Sequence, residues 1–292
     1  MRKWKHDIGL ESRMLLTMFL LGAVYIFFLI FLAASGVEPM FILFFAGIMM
    51  FIQYYYSDKM VLWTSGARIV SAREEPELHE IVTRLCAIAD ITVPKIAIMN
   101  TMMPNAFATG RNQKNAVVAV TTGLMQRLDR EELEAVLGHE LTHIKNRDMM
   151  VLTIASFLST VAFFIVRYAL YFGGGGNRKG NAGLILVWIV SMIVWIVSFL
   201  LIRALSRYRE FSADRGAAII TGKPSKLASA LMKISGMMQR VPSDDLRKVE
   251  GMNAFFIIPA ISGSSIMQLL STHPSTEKRL AALEKLEREI EM

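Results

Sequence analysis

Four stretches of this chain, residues 14–34, 40–56, 149–172 and 184–202, are built mostly from Leu, Ile, Val, Phe, Ala and Met, and Arg167 is their one charge. A helix needs about 20 such residues to cross a bilayer, and only a helix or a closed barrel satisfies its backbone there. Each stretch is therefore expected to be a transmembrane helix, which leaves residues 57–148 and 203–292 to build soluble structure. The 53% hydrophobic share of the chain exceeds what a soluble domain usually carries. The leader MRKWK looks like the start of a signal peptide, but the apolar run behind it exceeds the roughly 7–15 residues of such a peptide. It reads as an uncleaved anchor. ASGVEP joins the first two stretches and GGGGNRKGN the last two, so residues 1–56 form one transmembrane hairpin and residues 149–202 a second.

Basic residues near the span ends set the orientation. Arg2, Lys3, Lys5 and Arg13 precede the first span and Arg203, Arg207 and Arg209 follow the last, against Arg167, Arg178 and Lys179 near the tip of the second hairpin. The larger group belongs in the cytoplasm. An even number of spans then places 57–148, 203–292 and both termini on that side of the cell membrane, as one discontinuous soluble domain. The formal charge of +7 gathers at these flanks. Elsewhere bases alternate with acids, as in TEKRLAALEKLEREIEM, and no nucleic-acid partner is expected. Cys86 is the single cysteine, so no internal disulfide can form. It lies in the amphipathic HEIVTRLCAIADI and reads as a packed thiol rather than a nucleophile.

Within the soluble pieces, Pro76 at a first helical turn begins an amphipathic helix with His79 on its polar face. PKIAIM, NAFATG and NAVVAVTTG read as short strands between the turn formers MMPN and GRNQKN. Residues 128–147 are expected to form a helix that opens on the acids DREELE and runs on into the third span. Residues 203–220 and 226–238 supply two more helices. The class is thus a membrane protein of α+β type with a small sheet. FFIIPAISGSS, residues 255–265, is too short to span, is broken by Pro259, and is read as core; His6 and His79 are expected in solvent.

The chemistry sits in GHELTHIKNRD. His139 and His143 lie one turn apart on one helix face, so both imidazoles can take corners of a tetrahedron around one Zn²⁺. Glu140 stands beside them as a base for a water. A catalytic zinc takes a third protein ligand and leaves one corner open. Glu210 follows the fourth span by about two helical turns, much as His143 precedes the third by under two. Asp214, on the same helix face, can accept the outer N–H of a metal-bound histidine. Spacing alone leaves alternatives open. Glu210 and Asp214 would also suit a solvated face, with Glu210 paired to Arg207 and Asp214 turned towards Arg203, and His273, ahead of Pro274 and Arg279, is a rival third ligand.

Taken together, NAFATG, AVVAVTTG, GHELTHIKNRD, REFSADRG and the late THPSTEKRL, in this order among two pairs of spans, resemble the HtpX-type membrane zinc metallopeptidases, relatives of the CAAX prenyl endopeptidases. The likeness covers nearly the whole chain. The family's HExxH and ExxxD patterns are matched without substitution by His139, Glu140 and His143, then Glu210 and Asp214. The resemblance implies a zincin-like (gluzincin) domain holding one Zn²⁺ per chain, with Glu210 as third ligand. It also implies that Asn105, which opens NAFATG, together with His273 and Arg279, supports the site or its substrate. Proteolytic quality control of membrane proteins, in cooperation with other membrane quality-control proteases, is the implied role.

The expected reaction is hydrolysis of peptide bonds in unfolded or misfolded membrane proteins, bound as extended strands along a sheet edge at NAFATG. Three rivals are weaker. Trimming of prenylated C-termini is disfavoured by having only four spans. A scaffold with structural zinc has no use for a glutamate between the histidines. A transporter would carry polar or broken helices at mid-membrane.

Overall fold

The computed structural model of the chain describes residues 7–36, 39–172, 181–238 and 271–291. In chain order the elements are α1 (Ile8–Ala34), α2 (Pro39–Ser65), β1 (Arg68–Ile69), α3 (Pro76–Ala89), β2 (Lys95–Met99), β3 (Ala106–Thr109), β4 (Val117–Thr121), α4 (Thr122–Met125), α5 (Arg130–Lys145), α6 (Asp148–Phe172), α7 (Asn181–Thr221), α8 (Pro224–Met238) and α9 (Thr276–Glu291). Two compact units emerge, one from residues 7–55 and 151–205, the other from the described parts of 56–150 and 206–292.

The first unit is helical and apolar. Among the described residues three helices are long and apolar enough to cross a membrane, Ile8–Ala34, Asp148–Arg167 and Gly183–Thr221; the remaining expected stretch, 40–56, lies within the 27-residue α2. Phe28 and Leu32 of α1 pack with Ala162 of α6 and Val194 of α7, and Leu21 packs with Ala155 and Leu205. Two polar side chains of this unit are tied to backbone of a neighbouring helix, which suits a medium without water. The Tyr25 hydroxyl donates to the Ala155 carbonyl (2.5 Å) and Trp188 Nε1–H to that of Val166 (2.9 Å). Large apolar side chains such as Phe19, Ile26, Ile185 and Ile193 point outward, which suits lipid and is costly in water.

The second unit is α+β. β4 lies between β2, to which it is parallel, and β3, to which it is antiparallel, while β1 runs antiparallel to β2. NAFATG thus becomes β3, an edge strand. Val118 and Val120 of β4 pack against Ile81 and Leu85 of α3, Leu137 and Leu141 of α5 and Leu231 of α8. Cys86 belongs to this core, and burial pushes its thiol up to about 11, as expected of a packed cysteine. α5 begins with a reciprocal cap: Asp129 accepts from the Glu132 N–H and Glu132 from the Asp129 N–H. Two of the otherwise orphan donors of the helix start are satisfied in this way.

Three sequence expectations are corrected here. The helix expected over 128–147 does not run on into the third span: α5 stops at Lys145, Arg147 takes a φ of 54°, and α6 starts at Asp148. A left-handed residue cannot continue a right-handed helix, and the Asn146 carbonyl freed by the break accepts from Arg209. His79 is half-buried rather than solvated, with Nε2 3.1 Å from the Val70 carbonyl. Arg209, read as a membrane-flanking charge, is buried. FFIIPAISGSS, His6 and residues 173–180 of the glycine-rich link lie outside the described residues.

α5 and α7 approach each other through small residues. A Cβ on Gly216 of α7 would lie 2.3 Å from Thr142 Cγ2 and 2.5 Å from its Oγ1, while Gly138 of α5 faces Ala217 and Thr221. Thr142 is fully buried and donates to the Gly138 carbonyl, so it has little room to turn away. Gly216→Ala should therefore lower stability by about 1–3 kcal/mol and weaken metal binding by displacing α7. Thr142→Ala in the same chain should recover part of both losses. Thermal unfolding and metal titration measure this, and a Gly216→Ala protein indistinguishable from the parent would refute the close-packing account.

Candidate metal centre

The residues that sequence spacing left scattered meet between α5, α7 and the start of α9. His139, Glu140, Glu210, Asp214, His273 and Arg279 are all buried, and His143 is the more open of the two α5 histidines. The Nε2 atoms of His139 and His143 are 3.1 Å apart; His143 Nε2 is 3.4 Å from Glu210 Oε1, and His139 Nε2 is 3.6 Å from Glu210 Oε2. A tetrahedral zinc with bonds of about 2.0–2.2 Å would show ligand-to-ligand edges of roughly 3.3–3.6 Å. The two Nε2 atoms lie slightly closer than this and the Glu210 carboxylate turns a different oxygen to each of them, and the three residues are the one group able to hold a metal ion among the described residues.

Each outward nitrogen lies beside a carboxylate, although His139 Nδ1 is not aligned for a hydrogen bond. His143 Nδ1 is 2.6 Å from Asp148 Oδ2 and His139 Nδ1 is 2.9 Å from Asp214 Oδ1. With the proton on Nδ1 of both rings, two Nε2 lone pairs would face one another and a third anion. That arrangement is repulsive unless a cation or a shared proton lies among them. A second sign is Glu210 Oε2, which is buried without a well-aligned hydrogen bond, although His273 Nδ1 is 2.9 Å and an Arg279 nitrogen 3.5 Å away. The residues present fit a divalent cation.

Electrostatics agrees with one added positive charge. Burial works against the imidazolium of His139, yet the carboxylates of Asp214 and Glu210 outweigh it and push the pKa up to about 9. His143 moves the other way, lowered by burial and then by the charge of His139. Glu140 is raised, chiefly by burial, with the two histidines and a hydrogen bond from the Ala108 backbone pulling it back. Arg279 remains a cation because Asp214 and Glu210 offset its burial; its Nε and one terminal nitrogen donate to the two Asp214 oxygens at 2.8 and 2.6 Å.

The alternative pairing of Glu210 with Arg207 is not seen; Arg207 donates to the Ser271 carbonyl. His273 contacts Glu210 rather than completing the triangle. Asn105 is buried at the head of β3, with its N–H donating to Thr121 Oγ1 and its carbonyl accepting from Thr121. That pairing sets the phase of the ladder: Phe107 and Thr109 also bond to β4, and Ala106 and Ala108 turn their backbone groups away from it, where the Ala108 backbone meets Glu140 and the strand is buried along its length. A shallow cleft with room of about 20 Å³ lies beside His143, lined by Ala108, Ile144, Met149 and Met150 together with Arg111 and Gln113.

Sequence reasoning missed two residues, Asp148 and Arg209. The carboxylate closing KNRD, just past a metal-binding helix, was the available signal for the first. Nothing local marked the second.

Residues 72–287 match peptidase family M48. The chain is 71% identical over 291 residues to Protease HtpX homolog 2 of Methanosarcina mazei, covering 99% of each. It is 62% identical over 294 residues to Protease HtpX homolog of Moorella thermoacetica, covering 99% of this chain and 98% of that one. Among solved structures, Ste24p of S. mikatae superposes with a TM-score of 0.58 at 15% identity, over 95% of this chain and 67% of that chain, a likeness of fold.

Proposed function

Since the chain belongs to peptidase family M48 and is a membrane zinc metalloprotease, we propose that it is an endopeptidase acting on unfolded or damaged membrane proteins from the cytoplasmic face of a cell membrane, with four spans in two hairpins. His139, His143 and Glu210 would hold one zinc ion per chain; the observation that carries this is the convergence of the two Nε2 atoms and the Glu210 carboxylate within 3.1–3.6 Å. When bound, zinc supplies Lewis-acid polarisation of a carbonyl and of water.

The protein supplies the rest. Glu140, raised by burial, takes a proton from the attacking water and returns it to the leaving amine, a proton transfer that a carboxylate moved towards neutrality performs best. The side of β3 that faces away from β4 would offer backbone pairing to an extended substrate through Ala106 and the Ala108 carbonyl, the Ala108 N–H being held by Glu140. Recognition through backbone tolerates many sequences, which suits substrates defined by being unfolded.

The test is cleavage of an unfolded membrane protein by the full chain in detergent. A chelator should stop it and added zinc restore it; cleavage undiminished by chelation would reject the reading. In sealed right-side-out vesicles an impermeant chelator should leave activity intact until the membrane is permeabilised. Immediate inhibition would put the site on the other face.

A further inference from the structure

Asp148 opens α6, yet its side chain serves α5. In an unbroken helix, residue 148 would lie about 140° around the axis from residue 143 and could not reach it. The left-handed backbone at Arg147 (φ 54°) turns the chain so that Asp148 comes back to the imidazole, with Oδ2 2.6 Å from His143 Nδ1. The other carboxylate oxygen of Asp148 is ion-paired with Arg209 of α7. Arg209 also donates to the Asn146 carbonyl at 2.8 Å, at the end of α5. Both partners are buried.

A buried ion pair is weak as a source of stability, because desolvation cancels much of the attraction. Its worth here is positional. Arg209 immediately precedes Glu210, so one turn of α7 holds the third carboxylate of the triangle and also grips the carboxylate that orients His143. The arrangement repeats what Arg279 and Asp214 do for His139. Each imidazole is thus backed by an aspartate that is itself held by an arginine.

We propose that Asp148 and Arg209 act as one positioning unit for His143, fixing its tautomer and ring so that Nε2 is presented to the metal in register with Glu210. This rests on the reading that His139, His143 and Glu210 hold the metal. Carboxylates backing metal-bound histidines typically change metal affinity by 10–100-fold when removed.

The experiment uses the full chain in detergent, with zinc affinity measured by chelator competition, the visible spectrum of the cobalt-substituted protein, and thermal unfolding with metal removed. Asp148→Asn should weaken zinc binding about 10–100-fold and alter the cobalt spectrum, while KM for an unfolded substrate changes little. Arg209→Met should weaken zinc binding as well, and the double variant should be no worse than Asp148→Asn alone, because the two act through one ring. Arg209→Lys, which keeps the charge without the fork, should fall between the parent and Arg209→Met, and it keeps the question open to measurement if Asp148→Asn does not fold. Parental zinc affinity and cobalt spectrum in Asp148→Asn or Arg209→Lys, with only the melting temperature lowered, would make the pair merely structural and overturn the proposal. A parent that binds no zinc at all would instead remove the metal site itself.

Discussion

Glu140→Gln is expected to keep its metal and lose cleavage by about 10²–10⁴-fold. Glutamine has nearly the volume of glutamate, and its carbonyl can still accept from the Ala108 backbone, so the packing around this buried position should survive. What it lacks is a basic site for the proton of the attacking water. Glu140 is outside the triangle formed by His139, His143 and Glu210, so metal content should be unchanged. The measurements are kcat/KM on an unfolded membrane substrate and metal per chain on the same preparation. Turnover within tenfold of the parent at full metal content would reject Glu140 as the base.

The second large effect is a ranking. Glu210→Ala removes one vertex of the triangle and should weaken zinc binding by roughly 10²-fold or more, taking the ~10–16 kcal/mol of a complete zinc site as shared among its ligands. His273→Ala should cost about tenfold, the scale of a group that supports a ligand rather than being one, since His273 reaches the site through the Glu210 carboxylate. Metal analysis and chelator competition on the two purified variants decide the order. If His273→Ala lost its zinc while Glu210→Ala kept it, the third ligand would be the histidine.

The contrast between these two residues shows where sequence reading reached its limit. Glu210 and His273 were both open to it as third ligands by spacing, and only the likeness of motifs favoured the glutamate. Arg209 was counted among the charges that orient the spans, and it is in fact a buried partner of Asp148. The expectation that α5 runs on into α6 failed for a related reason. Helical periodicity across KNRD is unremarked by any glycine or proline, and the break at Arg147 is sustained by a carbonyl contact from α7, a distant element.

What the amino-acid order determined alone is whatever one element decides for itself. Apolar runs of the length of a bilayer must be helices, a four-residue spacing puts His139 and His143 on one face, and Asp129 with Glu132 caps the start of that helix. Convergence between elements was decided only by the tertiary structure. β4 inserts between β2 and β3 and makes NAFATG an edge. Gly216 lets α7 close on Thr142, and that approach brings Glu210, Asp214 and Arg209 to the α5 histidines. The physical reason is that local periodicity specifies directions about one axis, whereas the distance between two axes is set by the volumes of side chains far apart in the chain.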